Sequence, residues 1–354
     1  MSTFTSLRIL AACLLAAVLS LARFAPRISV LEPEAGAGYG VMRVADLTGQ
    51  LADPLGWGHS REAPTALRWR LLPPVAGHLL HLRPATYLAL PLLGAAVLLV
   101  WTAACVFRET QSVVLAGLTA SLAATASWFF VATGWTGQFD VFYLLGLVAV
   151  VFSPSRLAIG AACALAPWCD ERFLLILPAC LCLRAARDGA VKPRQLLALA
   201  AAGIAPYVLL RTWALCHGDS TLGEHIALQR SSLGTYLPRV PDGWWMGFRA
   251  GWLFIVLGVF HAGAALRPKG GLLLAASLVA GLGAIILAAW DISRSIAVLL
   301  PFLIFGAIFL HRRWPRIAWK LALALAVLNL TMPAAHVVEN HHIPIPPFWH
   351  GIHR

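Results

Sequence analysis

Of the 354 residues, 60% are apolar and only 12% are charged, and the mean hydropathy is +0.78. A soluble domain cannot bury that much apolar surface. The composition therefore places the chain in a membrane and leaves no room for a separate soluble domain. A net charge of +12 would suggest a nucleic-acid partner if the basic residues shared one soluble face, but they are spread over short connectors between apolar runs.

The first run, "LRILAACLLAAVLSLARFA", is long enough to span and is read as a retained anchor rather than a cleaved signal peptide. A loop of about 60 residues follows, 26–85, and carries Glu32, Glu34, Arg43, Asp46, Asp53, Arg68, Arg70 and Arg83. Within it, "RWRLLPPVAGHLLHL" has prolines after an apolar start, then apolar and histidine residues at helical spacing. That pattern predicts a short helix lying on the membrane surface.

Further apolar runs lie near 86–107, 112–133, 139–153, 157–168, 173–184, 195–216, 247–266, 271–290, 294–311 and 317–333. The expected fold is all-α and polytopic, one transmembrane domain over 1–354 with about eleven membrane segments, within a range of about ten to twelve. A second long loop is expected at 217–246. The tail 334–354, with five histidines, is expected to be mobile or surface-lying, the alternatives being that it covers the mouth of an outer cavity or binds metal adventitiously. The seven cysteines all sit in or beside apolar runs, without zinc or disulfide-framework spacing, and read as small core residues.

With the N-terminus inside, the inner loops collect 13 of the 27 basic residues, opposed only by Glu109 and Asp188. The outer side holds the remaining 14 basic and 13 acidic residues. This asymmetry follows the positive-inside rule and predicts an N-in, C-out chain contacting membrane lipid headgroups, with no nucleic acid as partner. Only three of the 27 basic residues are lysine, an arginine and alanine bias that suggests a bacterial inner membrane.

The stretch "ALAPWCDERFLLILPACLCL" sets Asp170, Glu171 and Arg172 inside an otherwise apolar run, where ionisable groups are expensive. One long helix over 157–184 would move the basic loop 184–194 to the wrong side. Two short helices meeting at Pro167–Arg172, their apex sunk below the outer surface, keep the charge pattern. Asp140 closes "GWTGQFD" at the same level, and "AAWDISRS" places Asp291 and Arg294 on one helix face.

Carboxylates at such a site act as general bases or hold a divalent cation, and arginines grip phosphate with two parallel bonds. Apolar walls suit a lipid tail. Structural roles are open beside these: a closed ion-pair apex at 170–172, and a helix cap at Asp291. No Gly-x-Ser-x-Gly, His-Glu-x-x-His or Walker loop occurs, which argues against a serine or zinc protease and an ATP-driven pump.

A short N-terminal segment, one span, a long acidic outer loop with surface helices and then many spans with short connectors resembles the GT-C superfamily of polytopic glycosyltransferases. The resemblance implies sugar transfer from a polyprenyl-phosphate donor to a glycan or lipid acceptor. It implies Asp46, Glu32 and Glu34 as candidate catalytic residues. Arg68, Arg70, Asp140, Asp170, Glu171, Arg172, Asp291 and Arg294 then become candidates for donor phosphate and sugar binding. The alternatives are a transporter or flippase for a lipid-linked or anionic solute, and a non-catalytic partner in envelope assembly.

Overall fold

The computed structural model describes residues 3–24, 39–56, 68–134, 137–189, 193–288, 291–338 and 341–345. The chain is helical nearly throughout, a multi-pass membrane protein. Helix α1 (Thr3–Arg23) is followed by α2 (Tyr39–Ala52), the short α3 (Leu72–Leu79) and the long α4 (Pro84–Thr110). Next come α5 (Val113–Ala124), α6 (Ser127–Gly134), α7 (Asp140–Phe152), α8 (Arg156–Leu165) and α9 (Arg172–Asp188). The second half comprises α10 (Pro193–Cys216), α11 (Thr221–Tyr236), α12 (Val240–Phe248), α13 (Trp252–Ala265), α14 (Pro268–Ala288), α15 (Ile292–Ser295), α16 (Leu300–Arg313) and α17 (Pro315–Thr331). It closes with a hairpin of β1 (Ala334–Val338) and β2 (His341–Ile345).

The expectation of about eleven membrane segments is corrected. Among the described residues six helical stretches are long and apolar enough to cross: Phe4–Arg23, Pro84–Thr110, Arg194–Cys216, Ile226–Ala265, Pro268–Leu287 and Ile292–Arg313. A seventh is counted if α5 and α6, bent by 64° at their junction, make one broken span. The excess came from α7, α8, α9 and α17. Helix α7 has 13 residues, about 20 Å at ~1.5 Å per residue, against about 30 Å of hydrocarbon. Its side chains are apolar because protein surrounds them: Val141, Leu144, Leu147, Val148 and Val151 are all fully buried. Apolarity alone does not distinguish a wall of helices from a wall of lipid.

Helices α4, α7, α9 and the α15–α16 run share one direction. Their starting residues meet at one end of the bundle through Asp140, Arg172 and Arg294. Their last residues meet at the other end through Arg108, Phe152, Arg187 and Arg312. These are called the site end and the distal end below.

Close approach of backbones holds the bundle where large side chains cannot. A Cβ on Gly306 would collide with the Phe254 carbonyl of α13, and one on Gly258 with the Phe302 carbonyl of α16. Small residues at crossing points are how membrane helices gain packing without a hydrophobic driving force between them. At the α12–α13 break Arg249 is fully buried at a left-handed φ of 48°. Its guanidinium donates to the carbonyls of Thr125, Asn329 (2.7 Å) and Met332 (3.3 Å) and lies over the Phe24 ring. It thus satisfies carbonyls left open at the ends of α5 and α17.

The tail differs from its sequence reading. Residues 334–345 form an antiparallel hairpin with Ala334 opposite Ile345, and β1 is buried almost along its length. An isolated bridge joins Val338 to Asp291. Residues 346–354 lie outside the described residues.

Candidate functional site

The helix break expected at Pro167–Arg172 is present: α8 ends in a 3-10 turn at Ala166–Trp168, and α9 begins at Arg172. Asp170 lies in this junction, fully buried. Its Oδ1 accepts from the backbone N–H of Arg172 at 2.9 Å and from Arg172 Nε at 2.7 Å. Its Oδ2 accepts from Arg172 Nη2 at 2.7 Å and pairs with Arg70 Nη2 at 2.8 Å. The apex is therefore closed on itself by a two-pronged arginine–carboxylate pair, the strongest geometry available to these groups.

Arg172 reaches further. Nη2 donates to Asp140 Oδ1 at 2.8 Å and Nη1 to the Ser295 hydroxyl at 2.8 Å. Four of its five N–H donors are thereby used. Asp140, in the first turn of α7, passes the chain of charges on: its Oδ2 lies 2.8 Å from Arg294 Nε. Arg294 also pairs with Asp291 at 2.8 Å, and Asp291 caps α15 through the Arg294 N–H. His336 Nε2 of the hairpin lies 3.3 Å from Asp291 Oδ2. The result is an alternating line, Arg70–Asp170–Arg172–Asp140–Arg294–Asp291–His336, drawn from five separate parts of the sequence.

Electrostatics follows the geometry. Burial alone would raise the Asp170 carboxyl, but Arg172 and Arg70 outweigh it and hold that carboxyl well below the usual carboxylate range. At Asp291 burial is likewise opposed and overcome, chiefly by Arg294 and then by His336. Both carboxylates are ionised at neutral pH, and the three arginines balance Asp140, Asp170 and Asp291 one for one.

At the hairpin, Asp291, His336 and Ser293 form a relay, with Ser293 Oγ 3.1 Å from His336 Nδ1. It is not a nucleophilic triad. Ser293 is fully buried, and its hydroxyl accepts from Val337 N–H and from Ser127, each at 3.0 Å. No lone pair is left facing a substrate, so the relay is a clasp between the hairpin and α15.

The first long loop docks on this line. Arg43 of α2 donates Nη2 to Gly137 O (3.2 Å) and to Gln138 Oε1 (3.1 Å), and Gln138 also accepts from Arg294. Asp46 is half-buried one helical turn beyond Arg43. Arg70 adds Glu171 at 3.6 Å. Its neighbour Trp69 donates to Asp219 at 3.0 Å beneath Arg211, pinning the segment to the end of α10. A cavity of about 10 Å³, room for roughly one water, lies between α2 and the network. It is lined by Arg43, Gln50, Arg70, Tyr87 and Asp140 among others. Two donors in its lining, Arg70 Nε and the Tyr87 hydroxyl, are buried with no partner among the described residues.

Seven of the sequence-selected residues, Arg70, Asp140, Asp170, Glu171, Arg172, Asp291 and Arg294, thus share one network. Asp46 and Arg68 flank it on the docked loop, while Glu32 and Glu34 lie outside the described residues. Sequence reasoning missed Arg43, Tyr87, Gln138, Ser295 and His336. Gln138 and Ser295 stand beside selected charges and were within reach of a neighbour search. His336 opens the histidine-rich tail, but nothing local ties it to Asp291.

For the divalent cation considered from sequence, Glu32 and Glu34 lie outside the described residues. Among the described residues no three His, Cys, Asp or Glu side chains converge for a metal. A dication placed beside Asp140 would also meet Arg172 and Arg294.

Fold and site together define a helical multi-pass membrane protein with a balanced, buried ionic network at one end, capped by a docked loop and a hairpin. No protein-family model matches the chain, and neither a curated protein nor a solved structure matches it.

Proposed function

We propose that this is a GT-C-like glycosyltransferase of a bacterial inner membrane, oriented N-in and C-out. It moves a sugar from a polyprenyl-phosphate donor to a glycan or lipid acceptor on the outer side. The observation that carries this reading is the docking of the acidic first loop onto the buried charge line, where Arg70 and Tyr87 line the space between them and each has a buried donor, Nε and Oη, without a partner among the described residues.

In this reading Asp46 takes the proton from the acceptor hydroxyl as that oxygen bonds to the sugar's anomeric carbon. The bond from that carbon to the phosphate oxygen breaks, and polyprenyl phosphate leaves with the electron pair. Arg70 and Tyr87 bind the phosphate, with Arg68 and Arg43 beside them. Arg172 and Arg294, whose forks are largely occupied, hold Asp140, Asp170 and Asp291 in place, and Glu171 steers Arg70. The cavity as it stands admits one water, so donor entry requires α2 to move outward from the network.

A carrier, the rival reading, needs its polar site reachable from both ends. Here the ionic line lies at one end, and the buried apolar length of α7 separates it from the other.

The test is turnover of polyprenyl-phosphate sugars by the purified full chain in liposomes. Asp46→Asn is expected to lower the rate by about 10²–10⁴, and Arg70→Gln by about 10²–10³, with normal membrane abundance. A folded wild-type protein that neither binds nor turns over any such donor would end the proposal.

A further inference from the structure

The distal end carries a second cavity that the transferase reading leaves unused. It lies between α1 and α4, has a volume of about 530 Å³, and is lined by Thr5, Trp101, Ala104, Phe107, Arg108 and Gln111 among others. That volume falls within the range of small-molecule sites, about 300–1,000 Å³. From this geometry we infer that the cavity binds the phosphate of one anionic glycerophospholipid, with the acyl chains running along α4.

Arg108 supplies the recognition. Only its Nη2 is engaged, by the Phe152 carbonyl at 2.5 Å and by Glu109 at 3.5 Å. The Nε and Nη1 groups have no partner among the described residues, and the side chain is 41% exposed. Nε–H and the Nη1 hydrogens are therefore available to phosphate oxygens as separate charge-assisted contacts, while Nη2 is anchored to α7. The local charge favours an anion: Arg108, Arg184, Arg187 and Arg312 face only Glu109 and Asp188. Trp101, two helical turns from Arg108 on the same side of α4, lines the same cavity and is of a residue type enriched at membrane interfaces. Further along that side Val97 and Leu93 are exposed, 41% and 64%, as a track for an acyl chain. Basic recesses between membrane helices are suited to anionic headgroups. This site is independent of the proposed sugar transfer, which sits at the other end of the bundle.

Native mass spectrometry of the full-length protein, offered equal phosphatidylglycerol and phosphatidylcholine, reads the site directly. Wild type is expected to retain one phosphatidylglycerol in preference. Arg108→Gln should reduce that preference about fivefold, the scale of one arginine at an anionic headgroup. Ala104→Phe should do the same by filling the cavity while leaving every Arg108 contact in place, so the test stands even if Arg108→Gln folds poorly. Arg312→Gln, at the same end but outside the cavity lining, should leave the preference unchanged. A preference that survives Ala104→Phe, or falls equally in Arg312→Gln, would show diffuse surface charge and overturn the site. Displacement of the retained lipid by glycerol 3-phosphate at equal concentration would also overturn it, in favour of a soluble phosphate.

Discussion

The two ends of the bundle both gather arginines, yet they use them differently. At the site end the guanidiniums of Arg70, Arg172 and Arg294 meet carboxylates, the charges along the line balance, and the residues come from distant parts of the chain. At the distal end arginines share two carboxylates, Glu109 and Asp188, and three of them also cap backbone. Arg184 donates to Val150 O at 2.9 Å and Ser153 O at 2.8 Å, Arg187 to Val151 O at 2.8 Å, and Arg108 to Phe152 O. Those carbonyls are the open end of α7, where its dipole is negative. The comparison separates two uses of one residue type: balanced pairs make a buried, specific junction, whereas carbonyl caps terminate a short helix and leave positive charge over.

The sharpest way to break this contrast is Arg172→Ala. Removing it strands Asp170 and Asp140 without their shared partner, a loss of about 3–5 kcal/mol. Little folded protein should remain in the membrane fraction by fluorescence-detected size exclusion. Arg172→Lys should recover part of it, because one ammonium replaces the point charge but not the fork.

Arg184→Ala at the distal end should cost less, about 1–3 kcal/mol, since it leaves backbone carbonyls unsatisfied while Asp188, the one carboxylate it pairs with, is partly exposed and keeps Arg187 at 3.4 Å. The same chromatography after graded heating would measure it. A loss as large as that of Arg172→Ala would erase the distinction between the ends.

Acid titration sharpens it. Carboxyls whose folded pKa is depressed add stability above their unfolded pKa, about 4, and lose it as pH falls through the lower folded value. Asp170 and Asp291 are both depressed, so the site end should hold from neutrality down to about pH 4 and fail only in stronger acid. Dissociation of the hairpin near pH 5, seen as loss of hydrogen-exchange protection of the β1 amides, would contradict this. The smallest effect is expected for Glu109→Gln, under about 1 kcal/mol. Arg187 keeps its Val151 carbonyl, and Arg312 is half-exposed.

Much of this was legible in the residues. The positive-inside pattern put Asp140, Asp170–Arg172 and Asp291–Arg294 at one level, and the structure joins them. The same pattern put Arg108, Arg184, Arg187 and Arg312 at the other level, where they also meet. The break at 167–172 was readable because a continuous helix would have misplaced the next basic loop. Two things were not readable. Val141, Leu144, Leu147 and Val148 read as lipid-facing residues although they face other helices, which inflated the number of spans. His336 has no neighbours in sequence that explain it, since its partners Asp291 and Ser293 lie more than 40 residues away. Nonlocal pairing leaves no local trace.

The charge line has a consequence for how the protein is made. The first half of the chain brings Arg70 and Arg172 with Asp140 and Asp170, and the second brings Arg294 with Asp291. Along this line the first half is electrically neutral before the second has left the ribosome. Arg172 can already pair with Asp140 and Asp170 while Ser295 is still 123 residues from synthesis. The later half then docks by adding the Arg294–Asp140 contact, and the hairpin clasp closes last. Once Arg172 has been made, insertion therefore need not leave a carboxylate or guanidinium of this line without a partner already in the chain, the state that costs a membrane protein most.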